Sequence, residues 1–276
     1  MRNNLMSLMF LALVVTGAVT CFSGHVLAYD DYSGWWYVRG QEGTGLSVEI
    51  QDDYAFVAIY DYENYSPFWI TSYGTVEEYL VERGQPSGLY YSGDIYLWNG
   101  WPLGTPYVAP RGWAVGSMSI EFESKSNARI TYTYFKEFLT GDQDVTASVD
   151  LSKFMPDVSP GSLDARDING WWYDPVYDGM GFFIEAYGNT VFMAWYHYGR
   201  DTSPWWWTCY DTFSQDDKDF GCDLQEWYGG EPLGYEEYLR PSSTVVGHGD
   251  FHLNDDGTAN FTWSGETFHL ERFRYN

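Results

Sequence analysis

The chain repeats itself. Gly34-Trp35-Trp36-Tyr37 recurs as Gly170-Trp171-Trp172-Tyr173, and at a constant offset of 136 the correspondence runs without a gap to Tyr62 and Tyr198. Gly43, Gly45 and Glu49 fall on Gly179, Gly181 and Glu185, and Phe56, Ala58 and Tyr60 fall on Phe192, Ala194 and Tyr196. One inserted residue then brings Ser66-Pro67 and Trp69 onto Ser203-Pro204 and Trp206. Further on, Pro102-Leu103-Gly104 meets Pro232-Leu233-Gly234, Val115-Gly116 meets Val246-Gly247, Ala128 meets Ala259, and Leu151 with Phe154 meets Leu270 with Phe273. Chance does not keep that order. Solenoid units run to roughly 50 residues at most, so each copy is a whole domain. The first module covers residues 29–155 and the second 169–276, joined by a linker at 156–168 that contains Ser159-Pro160-Gly161-Ser162.

Within each copy, apolar and polar residues alternate with period two over short stretches punctuated by Gly, Asn, Asp and Pro, which is the pattern of strands. Aromatic residues make up 20% of the chain, and rings fit a pleated surface. In the second copy the pattern predicts strands near 170–173, 181–187, 190–198, 205–210, 222–228, 245–253, 258–263 and 267–273. Tight hairpins are predicted at Gly188-Asn189 and at Asn254-Asp255-Asp256-Gly257. A run of sequential hairpins has unpaired edges unless the sheet curls closed. The expected fold is therefore all-β: two tandem antiparallel up-and-down β-barrels of about eight strands each, with β-sandwiches as the alternative.

Residues 1–28 read as a secretory signal peptide. Arg2 precedes an apolar run from Leu5 to Phe22, and Val26-Leu27-Ala28 supplies a cleavage site after Ala28. The expectation is a secreted or periplasmic protein with no membrane insertion once that segment is removed. The formal net charge of −25 repels nucleic acid and anionic membrane surfaces. In an exported chain Cys209 and Cys222, flanking the loop after Trp205-Trp206-Trp207, pair as a disulfide. Ser72 and Ser92 are taken as their counterparts in the first copy.

The string Gly170-Trp171-Trp172-Tyr173-Asp174-Pro175, then Gly179-Met180-Gly181-Phe182-Phe183-Ile184-Glu185, then Phe192-Met193-Ala194-Trp195-Tyr196 and Pro204-Trp205-Trp206, resembles a module that recurs in exported bacterial proteins. The first copy has Val38-Arg39 in place of Asp174-Pro175. The opening Gly-x-Trp-Tyr strand also resembles that of avidin-like and other calycin barrels, a likeness of architecture alone.

No catalytic motif stands out, and no cofactor is implied. Glu49 and Glu185 recur on the face opposite Leu46, Val48 and Ile50 in one copy and Phe182 and Ile184 in the other. Held in the barrel interior, that glutamate orients a ligand or is hydrogen-bonded to Tyr or Trp donors; the competing role is a buried anchor or an exposed strand charge. Trp36, Trp172, Tyr60, Tyr196, Trp69 and Trp206 are the aromatic candidates for ligand contact, since sugars and apolar ligands lie against such rings. The competing role for each is core packing in a chain poor in Leu and Ile. His248, Asp250 and His252 share one strand face, but imidazoles four residues apart on a strand are about 13 Å apart, too far to share an ion. The leading functional expectation is an exported, non-enzymatic binding protein for a small apolar or carbohydrate ligand, in or at the mouth of its barrels. A self-associating structural or surface-assembly subunit comes second, and a cryptic hydrolase third.

Overall fold

A computed structural model describes residues 29–80, 87–136, 143–154, 168–212 and 219–275; the expected signal peptide and nearly all of the linker lie outside them. Each copy forms a closed antiparallel eight-stranded barrel in which every strand pairs with the next and the last returns to the first. The first barrel consists of β1 (Gly34–Val38), β2 (Gln41–Gln51), β3 (Tyr54–Glu63), β4 (Ser66–Leu80), β5 (Ser87–Asn99), β6 (Arg111–Phe122), β7 (Asn127–Tyr134) and β8 (Val145–Lys153). The second consists of β9 (Gly170–Tyr173), β10 (Gly181–Tyr187), β11 (Thr190–Tyr198), β12 (Pro204–Thr212), β13 (Asp219–Tyr228), β14 (Ser242–Leu253), β15 (Ala259–Trp263) and β16 (Glu266–Arg272). Closure is made by β1 on β8 through Trp36 and Lys153, and by β9 on β16 through Trp172 and Arg272.

Eight strands leave an interior that side chains just fill. In the first barrel Trp36, Leu46, Val48, Ile59, Ile70 and Phe122 belong to one buried cluster. In the second, Trp172, Phe182, Trp195, Phe251 and Phe261 are buried to 2% exposure or less. Both inward tryptophans, Trp36 and Trp172, donate their indole N–H to the carbonyl four residues back, Tyr32 O at 3.1 Å and Ile168 O at 2.7 Å. The repeated Val-Gly dipeptides mark a shared irregularity. Register shifts between Ile95 and Tyr96 opposite Val115, and between Leu224 and Gln225 opposite Val246, so each sixth strand carries one extra residue, a bulge that bends it.

Cys209 and Cys222 form the disulfide across β12 and β13, with Cα atoms 5.8 Å apart. The first-copy counterpart of Cys209 is Ser72. The strand register puts Gly93, and not Ser92, at the place of Cys222. Tyr91 Oη donates to Ser72 Oγ at 2.6 Å, so a hydrogen bond stands where the second barrel has its covalent bridge.

At Trp35, Ser47, Ala58, Tyr60, Tyr62 and Trp69 the outward row of β1–β4 is as buried as the inward one. Trp35, Ala58, Tyr60, Tyr62 and Trp69 join Trp171, Phe183, Tyr196, Tyr198 and Trp206 in one cluster, so the two barrels pack outer face to outer face. The contacts are reciprocal. Trp35 meets Phe192 edge-on at 4.9 Å and Trp171 meets Phe56 at 5.1 Å. Tyr62 meets Trp206 at 5.8 Å, and Tyr198 meets Trp69 at 5.4 Å. Gly100 lies against the Tyr198 ring and Gly230 against the Tyr62 ring, where a Cβ would collide. These pairs describe a pseudo-two-fold, the arrangement of a homodimer built into one chain.

The repeated Pro-Leu-Gly turns belong to the same exchange. Leu233, from the loop between β13 and β14, is 2% exposed and sits in the first barrel's core. Its N–H donates to Asp61 Oδ1 at 2.7 Å, and its carbonyl accepts from Tyr132 Oη at 3.0 Å. Leu103, its counterpart, packs half-buried against the aromatic cluster that runs into the second barrel. A loop from each module thus covers the other. Leu233→Ala is expected to cost about 2–5 kcal/mol through the cavity it leaves. Hydrogen exchange will place the lost protection in β3 and β7 of the first barrel, although the altered residue belongs to the second module.

Candidate functional site

Glu49 and Glu185 point out of their barrels, into the seam. Beyond the end of β8 the amide of Trp35 has no ladder partner, and a buried N–H must find an acceptor. Glu185 Oε2 accepts it at 2.9 Å. Glu49 Oε2 accepts the equivalent amide of Trp171 at 2.7 Å. Gly34 and Gly170, at φ 130° and 109°, precede those amides, and a Cβ on either would strike the opposing carboxylate. The repeated Gly-Trp pair and the repeated glutamate are therefore two halves of one contact, made twice.

The two locks differ in their countercharge. Arg272 Nη2 lies 2.7 Å from Glu49 Oε1, and Nη1 donates to Trp171 O at 2.8 Å. At the matching position stands Lys153, which donates to Asp31 O at 2.7 Å. Burial pushes Glu185 up to about 7, opposed by the charge of Lys153 and the Trp35 amide. Asp61, which holds the Leu233 amide, is likewise pushed by burial to about 7. His197, the second-copy counterpart of Asp61, is pushed down to about 3 by burial and is neutral.

Beside the locks the outer faces part around a pocket of about 360 Å³. The first barrel contributes Phe56 and Ala58 from β3, Trp69 and Thr71 from β4, Trp98 from β5, and Ala109-Pro110 from the loop before β6. The second contributes Trp171, Trp172 and Tyr173 from β9, the turn Asp178-Gly179-Met180-Gly181, Tyr196 from β11, and Phe273. Ala58 lies between Phe56 and Tyr60 in the outward row of β3, and Gly181 opens the outward row of β10; small residues among rings leave the space. Pro110 packs on Gly179, as Pro241 packs on Gly43, which fixes the Asp178 turn against the first barrel. Trp98 Nε1 donates to Thr71 Oγ1 at 2.8 Å, and Tyr196 Oη is hydrogen-bonded with Ser47 Oγ at 3.1 Å. Trp69 Nε1 donates to His197 O at 2.9 Å, whereas the buried Trp171 Nε1 has no partner among the described residues.

Of the aromatic candidates, Trp69, Tyr196 and Trp172 line this pocket. Trp36 lies inside the first barrel, and Tyr60 and Trp206 meet each other in the seam at 5.4 Å. Phe56, Trp98, Trp171, Asp178 and Phe273 are pocket residues that were not singled out from sequence. A signal existed for four of them, since Phe273 falls on Phe154 in the repeat. Phe56 and Trp171 are repeat positions, and Asp178 falls on another acid, Glu42, at the same offset. His248 and His252, on the solvated face, pair with Asp223 at 3.0 Å and Asp219 at 2.6 Å across the β13–β14 ladder. Among the described residues no group of three or more His, Cys, Asp or Glu is placed to hold a metal ion.

Two predictions follow from the locks. Removing one partner of a buried ion pair strands the other charge, so Arg272→Met is expected to destabilise the protein by about 3–5 kcal/mol in urea unfolding. Glu185 and Asp61 titrate near pH 7 in the folded chain and near 4 when unfolded. The folded state therefore binds more protons between those limits. Stability falls as pH rises through that window, by up to about 1.4 kcal/mol per pH unit for each group. Glu185→Gln keeps an acceptor for the Trp35 amide, so unfolding midpoints measured from pH 4 to 8 will show a shallower slope and equal or greater stability at pH 8. Comparison with protein-family models, curated proteins and solved structures returned no match, so function must be read from the seam and its pocket.

Proposed function

We propose that the chain is an exported, non-enzymatic binding protein that holds a small apolar or carbohydrate ligand in the pocket between its barrels. The observation that carries this reading is the walled space itself. Its volume of about 360 Å³ suits a small molecule, and its lining is mostly apolar, with aromatic residues from both barrels. The barrel interiors are occupied by side chains, so the seam is where a ligand finds room. Export agrees with the Cys209–Cys222 bridge and with the apolar run and cleavage site read in residues 1–28. The outer faces of β7 and β8 bear hydroxyl pairs, Thr131 with Ser148 and Thr133 with Thr146, which suit water and not lipid.

A self-associating surface subunit is the second reading, favoured by the exposed Tyr54 and Tyr73, whose rings stack in parallel at 5.5 Å on the first barrel. Size-exclusion chromatography of residues 29–276 separates the two: discrete monomers support the binder and concentration-dependent polymers the subunit. Tryptophan-fluorescence titration against mono- and disaccharides and the neutral apolar probe N-phenyl-1-naphthylamine tests binding. A saturable response is expected, with affinity at least tenfold lower in Trp98→Ala, which removes a half-buried wall. A flat response to the saccharides, the apolar probe and the organic cations tested below would overturn the reading.

A further inference from the structure

We infer that the ligand of this pocket is a small organic cation, an ammonium group clothed in apolar substituents. The inference rests on the pocket being a ligand site and specifies which chemistry it selects. Among the described residues Asp178 is the one charged residue in the lining, and it is exposed, at the rim. Among the described residues no Lys, Arg or His lines the space, so an anion would meet a carboxylate and nothing to balance it. Aromatic residues of both barrels line the space, and the π-electron density of a ring face attracts a cation held within about 6 Å of its centre. The molecule uses that attraction elsewhere: the Arg272 guanidinium lies 5.4 Å from the centre of the Trp172 ring, which is turned into the second barrel against Phe251, and its charge is met by Glu49.

The hydrogen-bonding inventory separates a cation from a sugar. A buried polyol needs a partner for each hydroxyl it takes from water. Thr71 Oγ1 is engaged by Trp98, Tyr196 Oη by Ser47 and Trp69 Nε1 by His197 O; among the described lining residues Trp171 Nε1 is the buried polar atom left without a partner, one donor against a polyol's several hydroxyls. A quaternary ammonium has no donor to satisfy. Its desolvation is offset by ring faces and by one carboxylate at the entrance, which is what the pocket presents. The surplus of 39 acidic over 14 basic residues adds a field that concentrates cations around the protein.

The test is calorimetric titration of residues 29–276 with choline and with 3,3-dimethylbutan-1-ol, its neutral isostere in which carbon replaces nitrogen. Choline is expected to bind at least tenfold more tightly, with affinity falling as salt is raised. Asp178→Asn, a change at an exposed turn residue, is expected to weaken choline binding several-fold and to leave the alcohol within twofold. Equal affinities for choline and the alcohol, or an Asp178→Asn variant that binds choline as the parent does, would overturn the cation assignment while leaving the pocket a ligand site. Saccharide binding with no response to choline would do the same. Silence toward choline, the alcohol, the saccharides and the neutral apolar probe together would remove the ligand site itself.

Discussion

Each barrel has an orphan amide at the end of its first strand, and each satisfies the other's with a buried glutamate. Trp35 N–H has no strand to donate to because β8 stops at Lys153, and Trp171 N–H is in the same position where β16 stops at Arg272. A carboxyl oxygen buried against a backbone donor satisfies an amide that would otherwise be left unpaired. It also fixes one relative placement, because the carboxylate reaches the amide only where the preceding residue has no Cβ. Gly34 and Gly170 meet that condition. The rest of the seam, with its edge-on rings and exchanged Pro-Leu-Gly turns, is compatible only with that placement.

Duplication explains why the lock occurs twice and divergence explains why the two are unequal. A single module bearing this glutamate and this Gly-Trp strand would dock on its own copy around a two-fold axis. Joined in one chain, the halves are free to differ. The first lock has a guanidinium that bridges Glu49 and the Trp171 carbonyl; the second has a lysine directed to Asp31 and leaves Glu185 with a proton affinity raised by burial. Asp61 against His197 repeats the asymmetry at the covered mouths. The second barrel, where Leu103 is seated less deeply than Leu233, carries the disulfide.

Strand positions were legible because hairpin punctuation and period-two alternation are local: all eight strands predicted in the second copy are present, with ends shifted by a few residues. The repeat also pointed to Glu49 and Glu185. Their destination was not legible. Alternation separates the two faces of a strand but names neither as the inside when both are apolar, and Tyr60, Trp69 and Trp206 on the outer face read like core residues because they are buried, against another barrel. The Ser92 pairing missed by one residue for a related reason: counting along aligned sequence does not reveal where a bulge sets the register, and the ladder puts Gly93 there.

The pocket could not be read from either module alone, since its two walls belong to different barrels. An eight-stranded barrel that fills itself with Trp36 or Trp172 has no room for a ligand, and emptying it would remove the core that closes it. Space can open only where the packing requirement is looser, on the outer row. That row already supplies the lock at Glu49 and the seam at Tyr60; at Ala58 between them the side chain shrinks to a methyl, and across the gap Gly181 has none. The same strand that holds the barrels together at one point thus holds them apart at the next. A ligand seated there would touch both copies, so its binding is coupled to the placement that the glutamates enforce.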